Sequence, residues 1–158
     1  MTCVGAGYVG ALTAITMAVK NPSVQFIVCD INESLIARWN QGNELPFFEP
    51  QLDEYYRRAV TQNKNIVFTT DVNHAMRDGH IIIIAVNTPA RTIEEVIPNP
   101  EGALASRVLG CPTNMDAFVS VVSGIGSNLV EQLKTDDCAH KIIVEKSTVP
   151  LGTANEVK

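Results

Sequence analysis

The stretch TCVGAGYVG, residues 2–10, determines how the fold is expected to begin. A short apolar run leads into three glycines with the spacing G-x-G-x-x-G, and an amphipathic helical pattern follows. Gly5 permits a tight turn between strand and helix, Gly7 lets a phosphate approach the backbone closely, and Gly10 lets the helix pack against a sheet. Free N–H groups and the dipole at the start of the helix favour a negative ligand. The stretch therefore predicts a cradle for the phosphates of a dinucleotide.

The predicted cradle consists of Gly5, Ala6, Gly7, Tyr8, Val9 and Gly10. Such glycine spacings also occur in ordinary turns, which is the alternative interpretation. A second apolar run, residues 24–29, ends in Asp30, and this carboxylate follows the last glycine by about 20 residues. At this spacing a carboxylate accepts hydrogen bonds from the adenosine ribose and repels the 2′-phosphate of NADP. The sequence therefore favours NAD as cofactor, while capping of the following helix is a second role open to Asp30.

The rest of the chain alternates short β-branched runs with amphipathic helical stretches. Strands are predicted at residues 2–4, 24–29, 66–68, 81–86 and 142–145, and helices at 8–19, 32–40, 52–61, 71–79 and 115–133. The run at 81–86 is apolar throughout, which is typical of a parallel strand buried on both faces. This order predicts an α/β fold, a single-domain, Rossmann-type doubly wound parallel sheet. Residues 87–112 are predicted as a long irregular connection.

Composition limits the classes of protein and partner. A chain of 158 residues with 46% apolar and 18% charged residues suits one folded domain. The formal net charge is -5, and no basic run exceeds the pair Arg57-Arg58, so neither nucleic acid nor an anionic membrane is an expected partner. The cysteines, Cys3, Cys29, Cys111 and Cys138, are too widely spaced for a zinc or disulfide framework, and no metal site is expected. Because no signal peptide or membrane-length run is seen, a cytoplasmic location is expected.

Polar segments follow two of the predicted strands. Asn87-Thr88-Pro89 comes after the strand at 81–86, and residues 145–150, EKSTVP, end the strand at 142–145. Each segment alone is ordinary turn chemistry, in which a hydroxyl side chain caps the next helix and proline ends the strand. Ligands of open α/β sheets bind outside the carboxyl ends of the strands. Together the two segments therefore predict a polar rim for the nicotinamide and its ribose.

The order GAGYVG, VNTP and EKSTVP after successive strands resembles the UDP-glucose 6-dehydrogenase family. The segments DINES, Trp39-Asn40 and LPFFEP (residues 45–50) are similar to that family as well. The resemblance covers nearly the whole chain and is weakest at residues 90–113. Related dehydrogenases of GDP-mannose or UDP-N-acetyl sugars share the glycine and STVP features, so they remain alternatives. The family often has a basic residue where this chain has Leu35.

The resemblance implies a two-step oxidation of UDP-glucose to UDP-glucuronate, in which two NAD molecules each accept a hydride and a cysteine thiol holds the intermediate. The cofactor contacts that it implies beyond the cradle and Asp30 are Val86, Asn87, Thr88, Pro89, Ser147, Thr148 and Val149. It also implies a catalytic role for Thr148, as a hydrogen-bond partner of the catalytic water or alkoxide.

The resemblance further implies that residues 1–158 are an NAD-binding domain truncated at both ends. The substrate and catalytic half, with the nucleophilic cysteine, is expected to lie outside the chain. A homo-oligomer is expected only for the full-length enzyme. By itself the chain is expected to bind NAD without catalysis, and a non-catalytic NAD-binding fragment is the alternative of a different class.

Overall fold

The structure is a computed structural model that describes residues 1–89, 93–98, 104–110, 113–134 and 140–156. The described strands are β1 (Thr2–Val4), β2 (Phe26–Cys29), β3 (Ile66–Thr69), β4 (Ile81–Ile84), β5 (Ile93–Pro98), β6 (Leu104–Gly110) and β7 (Ile142–Glu145). The described helices are α1 (Tyr8–Lys20), α2 (Glu33–Gln41), α3 (Leu52–Arg57), α4 (Val72–Asp78), α5 (Asp116–Lys134) and α6 (Thr153–Glu156).

The central sheet has the strand order β3-β2-β1-β4-β7, and all neighbouring strands run parallel. The chain builds the sheet outward from β1 to β3 and then returns to the other side of β1 with β4. The predicted doubly wound α/β fold is therefore confirmed. The reversal of strand order between β1 and β4 opens a crevice at their carboxyl ends, where ligands of such sheets bind.

Helices cover both faces of the sheet. One apolar cluster lies among α1, α2 and α3 and includes the fully buried Trp39, while the other lies beneath α4 and α5 and includes Phe118. Strand β4 contributes to both, because Ile83 belongs to the first cluster and Ile82 and Ile84 belong to the second. The predicted burial of this strand on both faces is confirmed.

The predicted irregular connection at residues 87–112 is wrong in part, because β5 and β6 pair antiparallel within it, with Ile97 opposite Ala105. The β-branched residues of the two segments, Ile93, Val96, Ile97 and Val108, are the physical reason, since such residues favour strands. These residues were visible in the sequence. Among the described residues, the ribbon adds a second, two-stranded sheet to the parallel one.

Other element ends also differ from the predictions. The helix predicted at 52–61 is α-helical only as far as Arg57 and continues as a wider π-helical turn, Arg58–Asn63. Strand β4 ends at Ile84, two residues before the predicted end. The predicted cap of α4 is confirmed, since the Asp71 carboxylate accepts a hydrogen bond from the backbone N–H of His74. Over the described part of the chain, no helix has the length and apolar character needed to cross a membrane.

Candidate functional site

A cleft of about 610 Å³ opens at the carboxyl ends of the sheet strands. The residues predicted for the cofactor that line it are Gly5, Gly7, Tyr8, Val9, Asp30, Val86, Asn87, Thr88, Ser147 and Thr148. These residues come from four separate parts of the sequence and meet because β1, β2, β4 and β7 are parallel neighbours. The fold therefore gathers most of the predicted site in one place.

The remaining predicted site residues do not line the cleft. Ala6 and Gly10 are buried behind the turn, and Val149 packs on the apolar cluster beneath α5. Pro89 is exposed, and its carbonyl oxygen accepts a hydrogen bond from the backbone N–H of Asn114 at 2.7 Å. In this structure these four residues adjoin cleft residues along the chain but do not line the cleft.

The three glycines of the turn have different surroundings. Gly5 has φ +108°, and a Cβ atom there would lie 2.4 Å from the carbonyl oxygen of Ala85. A Cβ atom on Gly10 would lie 2.0 Å from the carbonyl oxygen of Gly5, so Gly10 is needed for close packing. A Cβ atom on Gly7 would meet nothing within 4 Å. The open space beside Gly7 is what a bound phosphate requires.

The N-terminus of α1 has no side-chain cap and no acidic residue within its own first turn. Gly7, the first residue outside the helix, has no side chain that could form a cap. Among the described residues, no side chain caps the start of this helix, and Gly7, Tyr8 and Val9 line the cleft. This arrangement fits the pyrophosphate of a dinucleotide, which needs backbone N–H donors.

Asp30 connects the end of β2 to the glycine turn. One carboxylate oxygen accepts a hydrogen bond from the backbone N–H of Ala6 at 2.8 Å, and the other accepts one from the N–H of Asn32 at 2.9 Å. The side chain that caps α2 is Asn32, which accepts a hydrogen bond from the N–H of Leu35 at 3.1 Å. The alternative that Asp30 caps this helix is therefore wrong. Asp30 holds the turn in place and lies at the cleft.

The two polar strand ends are joined by hydrogen bonds. The hydroxyl of Ser147 donates to the carbonyl oxygen of Val86 at 2.8 Å, and the hydroxyl of Thr88 donates to the carbonyl oxygen of Thr148 at 2.7 Å. Two hydroxyl groups that the sequence suggested for the cofactor thus hold the rim together. The side chain of Thr148 is exposed at the cleft.

Sequence reasoning missed part of the cleft wall. Lys146 brings a positive charge to the cleft, and Phe47 and Ile31 bring apolar surface. Lys146 stands inside EKSTVP, and Phe47 stands inside LPFFEP, so both segments had been singled out without a role for these side chains. The signal was the position of each segment, because residues next to a strand end share its edge of the sheet.

The described cysteines are poor nucleophiles. Cys3 and Cys29 lie in β1 and β2, and burial raises the pKa of both thiols to about 12. A thiol must ionise to attack a carbonyl carbon, so neither suits covalent catalysis near neutral pH. Cys111 and Cys138 lie outside the described residues.

The whole chain, residues 1–158, matches the sequence profile of the UDP-glucose/GDP-mannose dehydrogenase family, NAD binding domain. The chain belongs to this family. As its NAD-binding domain, the chain has NAD as its cofactor, and the predicted family and cofactor are confirmed.

Curated relatives include UDP-glucose 6-dehydrogenase 1 of Glycine max, 35% identical over 156 residues, and UDP-glucose 6-dehydrogenase of Drosophila melanogaster, 34% identical over 155 residues. The match covers 99% and 98% of the chain but 28% of each relative, so the chain spans less than a third of their length.

Solved structures of nucleotide-sugar dehydrogenases share the fold. GDP-mannose dehydrogenase from Pseudomonas aeruginosa has a TM-score of 0.73 and 26% identity over 99% of the chain and 30% of its own. UDP-glucose dehydrogenase from Pyrobaculum islandicum has a TM-score of 0.71 and 24% identity over 99% of the chain and 31% of its own. Both likenesses agree with the Rossmann-type sheet described above.

Proposed function

We propose that this chain is the NAD-binding part of a UDP-glucose 6-dehydrogenase, which oxidises UDP-glucose to UDP-glucuronate with two molecules of NAD. The observation that carries the proposal is the meeting of the glycine turn, Asp30 and both polar strand ends in one cleft. The 35% identity to a UDP-glucose 6-dehydrogenase over 99% of the chain supports this substrate. The proposed enzyme acts in the cytoplasm, and assembly into homo-oligomers is proposed for the longer enzyme only.

In the proposed arrangement the backbone around Gly7 binds the pyrophosphate, and Asp30 binds the adenosine ribose. The bound NAD supplies the hydride acceptor. Val86, Asn87 and Thr88 form the middle of the proposed cofactor wall. Ala6, Gly10, Pro89 and Val149, which adjoin cleft residues along the chain, complete the proposed cofactor-binding set. Asp30 keeps an acceptor lone pair on each oxygen, since each oxygen accepts one backbone hydrogen bond.

Thr148 is the residue of this chain that we assign to the reacting groups. Its side chain is exposed in the cleft. The neighbouring Ser147 hydroxyl donates a hydrogen bond to the carbonyl oxygen of Val86. A hydroxyl there can donate a hydrogen bond to an alkoxide or accept one from a water. The covalent thiol step falls to a residue other than Cys3 or Cys29, because both are buried with raised pKa values.

A second candidate is a dehydrogenase of GDP-mannose or of a UDP-N-acetyl sugar. The structural likeness to GDP-mannose dehydrogenase, with a TM-score of 0.73, supports this second candidate. The cleft of this chain recognises the cofactor, and cofactor recognition is common to all these enzymes. The sugar nucleotide therefore has to be determined by assay.

The test is to assay the purified protein that contains this chain for NADH formation with each sugar nucleotide. We expect turnover with UDP-glucose, with two NADH formed for each UDP-glucuronate. The same protein carrying Gly7→Val is the control and is expected to be inactive. Faster turnover with GDP-mannose or UDP-N-acetylmannosamine would contradict the proposed substrate and support the second candidate.

A further inference from the structure

Tyr8 is the one large polar side chain within the glycine turn. It lines the cleft with 48% of its surface exposed, so burial alone does not fix its position. The segment at residues 45–50, LPFFEP, holds it instead. The Tyr8 hydroxyl donates a hydrogen bond to the Glu49 carboxylate, and its ring meets the Phe47 ring edge to face, with centroids 5.8 Å apart at 83°.

The same segment is anchored from the core side. Trp39 is fully buried, and its ring lies 6.1 Å from that of Phe47 and stacks on Phe68 at 5.1 Å. Its indole N–H donates to the carbonyl oxygen of Ala6 at 3.0 Å, so the anchor reaches the glycine turn directly. The turn is thus bound on both sides, through Ala6 to the core and through Tyr8 to Glu49. We call Trp39, Phe47, Tyr8 and Glu49 the aromatic clasp.

We propose that Glu49 is a positioning residue for cofactor binding, which acts by holding Tyr8 and thereby keeping the glycine turn in the shape that accepts the pyrophosphate. The proposal rests on the proposed place of the pyrophosphate at Gly7. A turn held before binding loses less conformational entropy when the ligand arrives, so its affinity is higher. The hydrogen bond to Glu49 also raises the pKa of Tyr8, so the phenol stays protonated as the donor.

A competing interpretation predicts that removal of the Glu49 carboxylate changes the NAD affinity in the opposite direction. Glu49 carries a negative charge beside a site for a negative ligand, and if charge were its main effect, removing it would strengthen NAD binding. If the aromatic rings alone held Tyr8, removing the carboxylate would change nothing. Positioning predicts a loss of affinity that depends on the presence of the Tyr8 hydroxyl.

The test is titration calorimetry of NAD with the full chain and its variants. Tyr8→Phe and Glu49→Ala are each expected to weaken binding roughly three- to tenfold, the range of one hydrogen bond. The double variant is expected to bind no more weakly than either single variant. Glu49→Gln keeps an acceptor oxygen and is expected to restore most of the affinity.

Glu44→Ala is the matched control, because Glu44 is an exposed carboxylate just before the same segment. It is expected to bind NAD like the wild type. Additive losses in the double variant, or unchanged or tighter binding by Glu49→Ala, would overturn the positioning role. Gly7→Val separates the two proposals. If Gly7→Val still binds NAD, the proposed place of the pyrophosphate is wrong. If Gly7→Val abolishes NAD binding while the Tyr8 and Glu49 variants bind like the wild type, only the positioning role is wrong. Thermal unfolding of each variant should show a midpoint close to that of the wild type, since the rings that form the core contacts are kept.

Discussion

At the scale of single residues, Gly7 and Gly10 make a matched pair. A side chain on Gly7 would enter open space, and its φ of -69° suits any residue, so Gly7→Val should change the free energy of unfolding by less than about 1 kcal/mol. It should nevertheless abolish NAD binding, because the side chain fills the place of the pyrophosphate. Gly10→Ala should instead destabilise the domain by about 1–3 kcal/mol, through overlap with Gly5. Calorimetric NAD binding and urea unfolding of both variants distinguish the two glycines, and normal NAD binding by Gly7→Val would show that the motif is only a turn.

Asp30 supports a second prediction at this scale. The wild-type chain should bind NAD more tightly than NADP, because the carboxylate repels a 2′-phosphate. Asp30→Asn should reduce the difference in affinity between NAD and NADP. It should also cost about 1–3 kcal/mol of stability, since an amide cannot accept from both Ala6 and Asn32 without turning a donor toward one of them. Titration with both cofactors measures the preference, and equal affinity of the wild type for the two would contradict the ribose assignment.

What sequence could predict at the residue scale followed from spacing. The separation of Asp30 from Gly10 and the order of the polar strand ends placed most of the cleft correctly, because both depend on which residues end parallel strands. The bond between Tyr8 and Glu49 was out of reach, since the two residues are 41 positions apart and Glu49 lies in a loop that has no periodic pattern. Lys146 was missed for a similar reason, because a charged residue beside a strand end gives no signal of the side to which it points.

At the scale of elements, continuous and periodic patterns were the most reliable guide. The stripe of apolar residues at helical spacing predicted α5, and the four isoleucines predicted β4. The ribbon of β5 and β6 was missed because the proline and glycine residues of the stretch at 87–112 were taken as a sign of irregular backbone throughout. The π-helical turn after α3 was also missed, since amphipathic spacing does not distinguish one helical pitch from another over a single turn.

Lys141 supports a prediction about how elements are joined. Lys141 lies just before β7, and its ammonium group donates to three carbonyl oxygens in and just after the last turn of α4, those of Met76, Arg77 and Gly79, at 3.0, 2.6 and 2.8 Å. Carbonyl oxygens at the end of a helix lack the backbone N–H donors of a following turn, so Lys141→Met should lower the free energy of unfolding by about 1–3 kcal/mol. Lys20→Met, at an exposed helix end, is the control and should cost less than about 0.5 kcal/mol. Equal effects of the two substitutions in urea unfolding would show that the hydrogen bonds of Lys141 contribute nothing to the free energy of unfolding.

At the scale of the whole molecule, the alternation of strands and helices was enough to predict the parallel sheet. The connection rules leave few ways to arrange such a chain, and the observed order β3-β2-β1-β4-β7 is one of them. The consequence for function is that residues from four distant segments meet without any local signal of their contact. The cleft at the strand ends thus depends on the topology, while the aromatic clasp depends on particular side chains.

The same scale supports the prediction that the 158-residue chain by itself does not oxidise UDP-glucose. The reaction needs a thiolate placed against the sugar, and placement supplies much of the rate. Cys3 and Cys29 are buried in the sheet, with thiol pKa values of about 12, so at neutral pH both remain protonated and out of reach of a sugar beside Thr148. Long incubation of the purified chain with NAD and UDP-glucose should therefore give no increase in NADH absorbance, although calorimetry on the same sample should show NAD binding. Steady turnover that disappears when Cys3, Cys29, Cys111 or Cys138 is replaced by serine would instead place the nucleophile within this chain.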